Sequence, residues 1–194
     1  MKLLLILLIP SITFANDLFK PLFPESKNNC STAEIVRILP DSYRERIETV
    51  NTVVNKIAID LNVDACLILS MVWAESTFKP SQRSFKGANG LLQVMPRTHE
   101  AMRLKMKYKL NTMLTSTLSY NLEYVEIENL IIGTYYYSKL LKKFKGNRNK
   151  AVIAYNMGAR YVLNNGVSSN HNYLKKVTKK FNLIAVSNWH AALK

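Results

Sequence analysis

The sequence predicts a mostly α-helical protein, on three observations. Apolar residues recur at helical spacing in several long stretches, Gly, Pro and Asn punctuate the gaps between them, and no run alternates with the period of two that a strand requires. The chain has 194 residues, 48% hydrophobic and 21% charged, which suits one domain with a substantial core.

The first fifteen residues are read as a signal peptide. Met1-Lys2 gives a positive start, Leu3 to Ile12 an apolar segment, and Thr13-Phe14-Ala15 a small-residue end. Ten residues would span roughly 15 Å as a helix, about half of a bilayer's hydrocarbon core, so a membrane anchor is disfavoured. The expectation is an exported protein, periplasmic or secreted.

Residues 16–44 carry Pro21, Pro24 and Pro40 and read as an extended lead-in with a short helix at Ala33 to Leu39. From Glu45, the stripe Ile47, Val50, Val53/Val54, Ile57, Leu61 marks an amphipathic helix. Asp64 then suits the N-cap of the next one. That helix, from Ala65 to Ala74, is apolar except for Ser70 and ends at Glu75, as a buried helix would. Residues 78–90, broken by Pro80, Gly87 and Gly90, form a loop that returns past the helix end. Pro96 starts a helix to about Lys107, and Lys109 to Tyr124 reads as polar and irregular. Glu126 to Phe144 resumes helical spacing, with Gly133 inside it implying close packing, since glycine there costs roughly 1 kcal/mol against alanine. Asn149 to Met157 is a short helix that Gly158 can end in the left-handed conformation, 164–170 a loop, and Tyr173, Val177 and Phe181 mark the last helix. The expected organisation is thus 1–15 signal peptide, 16–44 lead-in, 45–181 main helical domain and 182–194 tail.

The net charge of +14 is uneven: beyond Glu128 there are twelve Lys or Arg and no acid. Such a surface fits nucleic acid, anionic lipid or an acidic cell-wall polymer, and export makes nucleic acid the least suitable. Binding to lipid or nucleic acid through this charge would need aromatic and basic residues on one exposed face, and the tyrosines fall mostly at core-like positions. Two cysteines, three scattered histidines and no HExxH argue against a metal site, and no cofactor is implied. Cys30 and Cys66 could pair in an oxidising compartment, although a buried thiol in the apolar helix is the blander reading of Cys66.

Glu75 is the candidate for chemistry. At helical spacing it stacks on Met71 and Val72, and it sits at the negative end of its helix, so both desolvation and the dipole favour a retained proton. A general acid needs that environment. Between Cys66 and Leu122 the only other acid is Glu100, in a basic amphipathic stretch where a solvated role is expected. A glycosidase normally uses a second carboxylate near the first. One suffices when the substrate supplies its own nucleophile.

The motif Glu75-Ser76-x-Phe78-x-Pro80, Ser84, Gly87-Ala88-x-Gly90-Leu91-x-Gln93-x-Met95-Pro96-x-Thr98 resembles the catalytic signature of the soluble lytic transglycosylases, the goose-lysozyme-like group of glycoside hydrolase family 23. Asn129-x-x-x-Gly133-x-x-Tyr136, Leu140-Leu141-x-x-Phe144-x-Gly146-Asn147, Ala154-Tyr155-Asn156-x-Gly158 and Tyr173-x-x-x-Val177 follow in the same order, so the resemblance runs from Asn62 to Phe181. It implies a lysozyme-like α-helical domain that cuts the MurNAc-β-1,4-GlcNAc bond of peptidoglycan with formation of a 1,6-anhydro sugar. It further implies Glu75 as the sole acid/base, and Ser84, Gln93, Met95, Tyr155 and Asn156 as substrate-site residues, Tyr155 orienting the glutamate. Ser84 as a turn cap, Met95 as core and Tyr155 as packing are the bland alternatives. The implied partners are glycan strands and cell-envelope machinery, with a monomeric enzyme. A goose-type muramidase or a non-catalytic basic wall-binding module are the competing functions. Leu92, Ser81, His99 and Met157 depart mildly from the pattern and remove no reacting group. The basic 103–124 segment departs most, and differing partner contacts are expected there.

Overall fold

The computed structural model describes residues 30–169 and 171–191, with side chains as far as residue 185. The expected signal peptide lies outside the described residues. Among them no helix is long and apolar enough to cross a membrane.

Eight α-helices account for most of the described chain: α1 (Ala33–Ile38), α2 (Arg44–Leu61), α3 (Ala65–Ser76), α4 (Pro96–Thr117), α5 (Tyr124–Lys143), α6 (Arg148–Met157), α7 (Ala159–Asn165) and α8 (Asn172–Ala191), with a 3-10 turn at Asp41–Tyr43 before α2. The only β-type pairing among the described residues is two isolated bridges, Arg83 with Asn89 and Asn89 with Val94.

α3 is the axis of the core. Every residue from Ala65 to Ala74 is buried, Ser70 included, and the Ser70 hydroxyl is satisfied by the Cys66 carbonyl at 2.6 Å. A helix apolar all round must be covered on all sides. α8 and α2 pack on it, and α5 closes the bundle against α2, α4 and α6. The start of α3 is fixed by Asp64, whose carboxylate accepts from the Leu67 N–H at 3.1 Å and pairs with Arg148 of α6 at 3.0 Å. On α8, Lys180 lays its ammonium 4.0 Å from the centroid of Trp73.

Several elements differ from the sequence expectations. α4 continues to Thr117 instead of ending near Lys107, because Met102, Met106, Leu110, Met113, Leu114 and Thr117 form one buried stripe against α5 and α2. Lysines, asparagine and threonines at the intervening positions hide that period. α7 fills 159–163, to which the sequence pattern assigns no element, and takes the first two residues of the expected 164–170 loop. Gly158 joins α6 to α7 at φ 86°, ψ 149°, a glycine-only conformation distinct from the left-handed helical one. The last helix runs on through Ile184, which is fully buried, to Ala191.

Cys30 and Cys66 are joined in a disulfide, their Cα atoms 5.2 Å apart. Burial of the Cys66 side chain, which favoured a lone thiol, proves compatible with pairing. The segment before α1 brings Cys30, itself buried, against the first turn of α3.

Candidate active site

Glu75 occupies the last turn of α3, and the chain reverses immediately after it. Thr77 and Phe78 both take left-handed backbone conformations, at φ 52° and 61°. For a β-branched residue this is a strained state, costing roughly 1–2 kcal/mol. Complete burial of Phe78 holds the reversal in place. The strain therefore sits next to the candidate acid.

The returning loop, residues 79–95, is stitched internally by backbone bonds. Gly90 N–H donates to the Gln82 carbonyl at 3.0 Å, and Asn89 and Val94 exchange bonds of 3.0 and 3.2 Å. Gln93, itself at φ 45°, turns its side-chain amide back to donate to the Gln82 carbonyl at 2.7 Å and to the Gly90 carbonyl at 2.9 Å. Ser84 caps the turn that follows it, its hydroxyl accepting from Ala88 N–H at 2.9 Å. Both side chains thus hold the loop's own shape in this unliganded state. Met95 is exposed at the end of the loop, as the N-cap of α4, and Asn156 is exposed on α6.

Two residues of other helices clamp the loop. Asn129 of α5, buried, accepts from Leu92 N–H at 2.9 Å and donates to the Asn89 carbonyl at 3.0 Å, so one side-chain amide reads both limbs. Gly90 is glycine for two reasons: its φ is +79°, and a Cβ there would lie 2.6 Å from Asn129 Cγ. Tyr155 of α6 donates its hydroxyl to the Leu92 carbonyl at 2.8 Å. The Leu92 peptide is therefore held at both its N–H and its C=O from outside the loop.

Glu75 lies among tyrosines. Burial pushes its carboxyl above the ordinary 4.5, against the opposing pull of the Tyr173 hydroxyl and the Lys176 ammonium, both from α8. The Tyr173 contact is a loose one: the buried hydroxyl bears on the carboxyl, yet it forms no hydrogen bond of full geometry among the described residues. Burial also holds the Tyr155 and Tyr173 phenols well above 10, with the Glu75 charge adding to the effect at each. Tyr136 packs against Tyr155 with the rings tilted by 46° and their centroids 5.3 Å apart. Neither of the groups that pull on Glu75 is a carboxylate. Glu100 is exposed on α4, as expected for a solvated acid.

The site thus brings Glu75 and Tyr155 together and adds Tyr173, Lys176 and Asn129, which the sequence reading did not select for the site. Asn129 and Gly133 were visible as a polar and a small residue one turn apart on an apolar helix, and Tyr173 as the first residue of the Tyr-x-x-x-Val motif. A cavity of about 680 Å³ lies beside the same loop, lined by Arg46, Asn89, Leu91, His99 and Glu126 among others, but not by Glu75, Tyr155 or Tyr173. Among the described residues no group of His, Cys, Asp and Glu is arranged to hold a metal ion.

The chain is 32% identical over 128 residues to the membrane-bound lytic murein transglycosylase E of Buchnera aphidicola subsp. Acyrthosiphon pisum (strain APS), covering 66% of this chain and 55% of the relative. The chain spans about half the length of that relative. A similar solved structure is an inactive mutant of the lytic transglycosylase Slt from Pseudomonas aeruginosa, at a TM-score of 0.51 and 25% identity over 70% of this chain and 22% of that one. The helical, lysozyme-like fold expected from the sequence is the fold observed. Residues 52–178 match the Transglycosylase SLT domain, and the chain belongs to that family.

Proposed function

We propose that this protein is a lytic transglycosylase that cleaves the MurNAc-β-1,4-GlcNAc bond of peptidoglycan in the periplasm, with residues 45–181 as its catalytic domain and Glu75 as its single acid/base. The observation that carries the reading is the state of Glu75: a carboxyl raised above its ordinary value by burial, placed among phenols, with no carboxylate among the groups that pull on it. The names of the relatives agree with it, and a glutamate-to-glutamine substitution marks the inactive Slt mutant.

In this mechanism protonated Glu75 donates to the glycosidic oxygen as the bond from C1 of the muramic acid to that oxygen breaks. The 2-acetamido group of the same sugar stabilises the positive charge developing at C1. Glu75, now a carboxylate, takes the proton of the 6-hydroxyl while O6 forms its bond to C1. The product is a 1,6-anhydro end, water is not consumed, and the acid is returned protonated. A raised carboxyl suits both halves, because it is protonated often enough to donate and basic enough to accept. Lys176 and Tyr173 stabilise the carboxylate formed between them.

Ser84, Gln93, Met95 and Asn156 line the substrate path in this reading, with Tyr155 acting on Glu75 through the loop it clamps. The basic face beyond Glu128 would draw the enzyme to a wall bearing peptide carboxylates, working as a monomer beside other envelope proteins. Digestion of purified sacculi followed by mass spectrometry tests the proposal. Anhydro-muropeptides from the wild type and none from Glu75→Gln are expected; reducing-end products would instead make it a muramidase, and sacculus binding without cleavage a wall-binding module.

A further inference from the structure

The outer face of α4 carries aromatic, aliphatic and basic residues together on one exposed side. The helix turns Met102, Met106, Leu110, Met113 and Leu114 inward. At about 100° per residue, Leu104 and Tyr108 emerge on the opposite side, one turn apart. They are 68% and 84% exposed. Lys105 lies on one flank of this ridge and Lys107 on the other, both exposed, and Arg97 continues the ridge toward the start of the helix.

The cations divide by role. Arg103 is paired with Glu128 at 3.1 Å, and Lys109 donates to the Asp60 carbonyl at 2.9 Å, so both serve the fold. Arg97, Lys105 and Lys107 have no ion pair among the described residues. Lys107 instead leans toward the Tyr108 ring, 6.0 Å from its centroid. Glu100 is the single acid on the helix, against five bases.

We propose that this face of α4 docks on a lipid surface carrying anionic headgroups. Leu104 and Tyr108 enter the headgroup boundary, and the lysine stems lie alongside them and carry their ammonium groups to the phosphates. Charge complementarity selects the partner, and the apolar ridge selects lipid over glycan: a hydrated sugar strand has no apolar depth for an aliphatic tip such as Leu104. The ridge is short, so binding depends on the charge, with each lysine contributing about fivefold near an anionic leaflet. The face is separate from Glu75 and would hold the enzyme at the membrane while its site stays open to the wall.

The test is flotation of the full chain with vesicles of phosphatidylcholine, alone or mixed with phosphatidylglycerol. Wild type should float with the mixed vesicles only. Leu104→Gln/Tyr108→Gln should lose about tenfold in apparent affinity, and Lys105→Gln/Lys107→Gln about 25-fold. Lys142→Gln/Lys143→Gln, which removes the same charge from α5, should bind as wild type, and circular dichroism checks that all three variants fold. Equal loss in the two lysine variants would reduce the effect to net charge and overturn the proposal. So would unchanged binding by the Leu104/Tyr108 variant, or loss of its binding to purified sacculi instead of vesicles.

Discussion

The Tyr155 hydroxyl and the Leu92 carbonyl meet at 2.8 Å across 63 positions of sequence, and Gly133 is the floor beneath them. A Cβ at residue 133 would lie 2.7 Å from Leu92 Cδ1 and 2.9 Å from Tyr155 Oη. Gly133→Ala sets two effects against each other. Alanine favours the helix by roughly 1 kcal/mol, while overpacking here costs about 1–3 kcal/mol. The neighbours are a buried leucine and a hydrogen-bonded phenol, neither free to move, so a net loss of stability is expected in thermal denaturation. A stabilised variant would show that the contact is slack.

Tyr155→Phe removes the hydroxyl and leaves the Leu92 carbonyl without this donor, a loss of about 1–3 kcal/mol. The same change should lower kcat on sacculi several-fold while leaving sacculus binding nearly unchanged, because the loop beside Glu75 loses one of its two clamps. Equal kcat in the two proteins would show that the clamp does not serve the chemistry.

Asn129→Leu should be worse. The buried Leu92 N–H loses its partner and the Asn89 carbonyl is left with the Val94 N–H alone, so two bonds go instead of one and the cost is about 2–4 kcal/mol. Hydrogen exchange should report it locally, with faster exchange at Leu92 and Val94 than in α3. Uniform acceleration across the chain would point to global unfolding instead.

Glu75 links stability to pH. Its folded-state carboxyl lies above 4.5, so between the ordinary and the raised value the folded protein holds more proton than the unfolded one. Stability therefore falls as pH rises through that window. Glu75→Gln lacks the titration, and its Tm advantage over wild type should be smallest below the ordinary carboxylate range and reach a plateau above the raised value. The activity of the wild type should decline with alkalinity from a point above that ordinary range, as the proton needed for the first step is lost.

The Cys30–Cys66 bridge closes a loop over a sequence separation of 36. Cys30→Ser/Cys66→Ser should cost about 3–4 kcal/mol on loop entropy alone. Reductant should lower the wild-type Tm toward that of the double variant and leave the variant unchanged.

What the sequence made legible follows from where the information is local. The continuous apolar run and the Asp64 cap define α3, and the position of Glu75 at its end needs no tertiary knowledge. Pro80, Gly87 and Gly90 mark the loop. Its attachment to the rest of the fold depends on Asn129 and Tyr155, which arrive from about 40 and 60 residues away and whose hydrogen-bond targets no local pattern reveals. α4 was cut short because its buried residues are methionines and leucines spaced among lysines, a stripe that only the neighbouring α5 makes apparent. Tyr173 is legible as a mark of the last helix and as the first residue of the Tyr-x-x-x-Val motif, but its hydroxyl acquires meaning only from a carboxyl on another helix.

The central claim is that Glu75 alone moves the proton while the substrate's own hydroxyl closes the ring. Mass spectrometry of muropeptides released from sacculi in ¹⁸O-labelled water tests it most directly. The predicted result is 1,6-anhydro ends without label from the wild type, and no release by Glu75→Gln. Labelled reducing ends, or undiminished release by the variant, would contradict it.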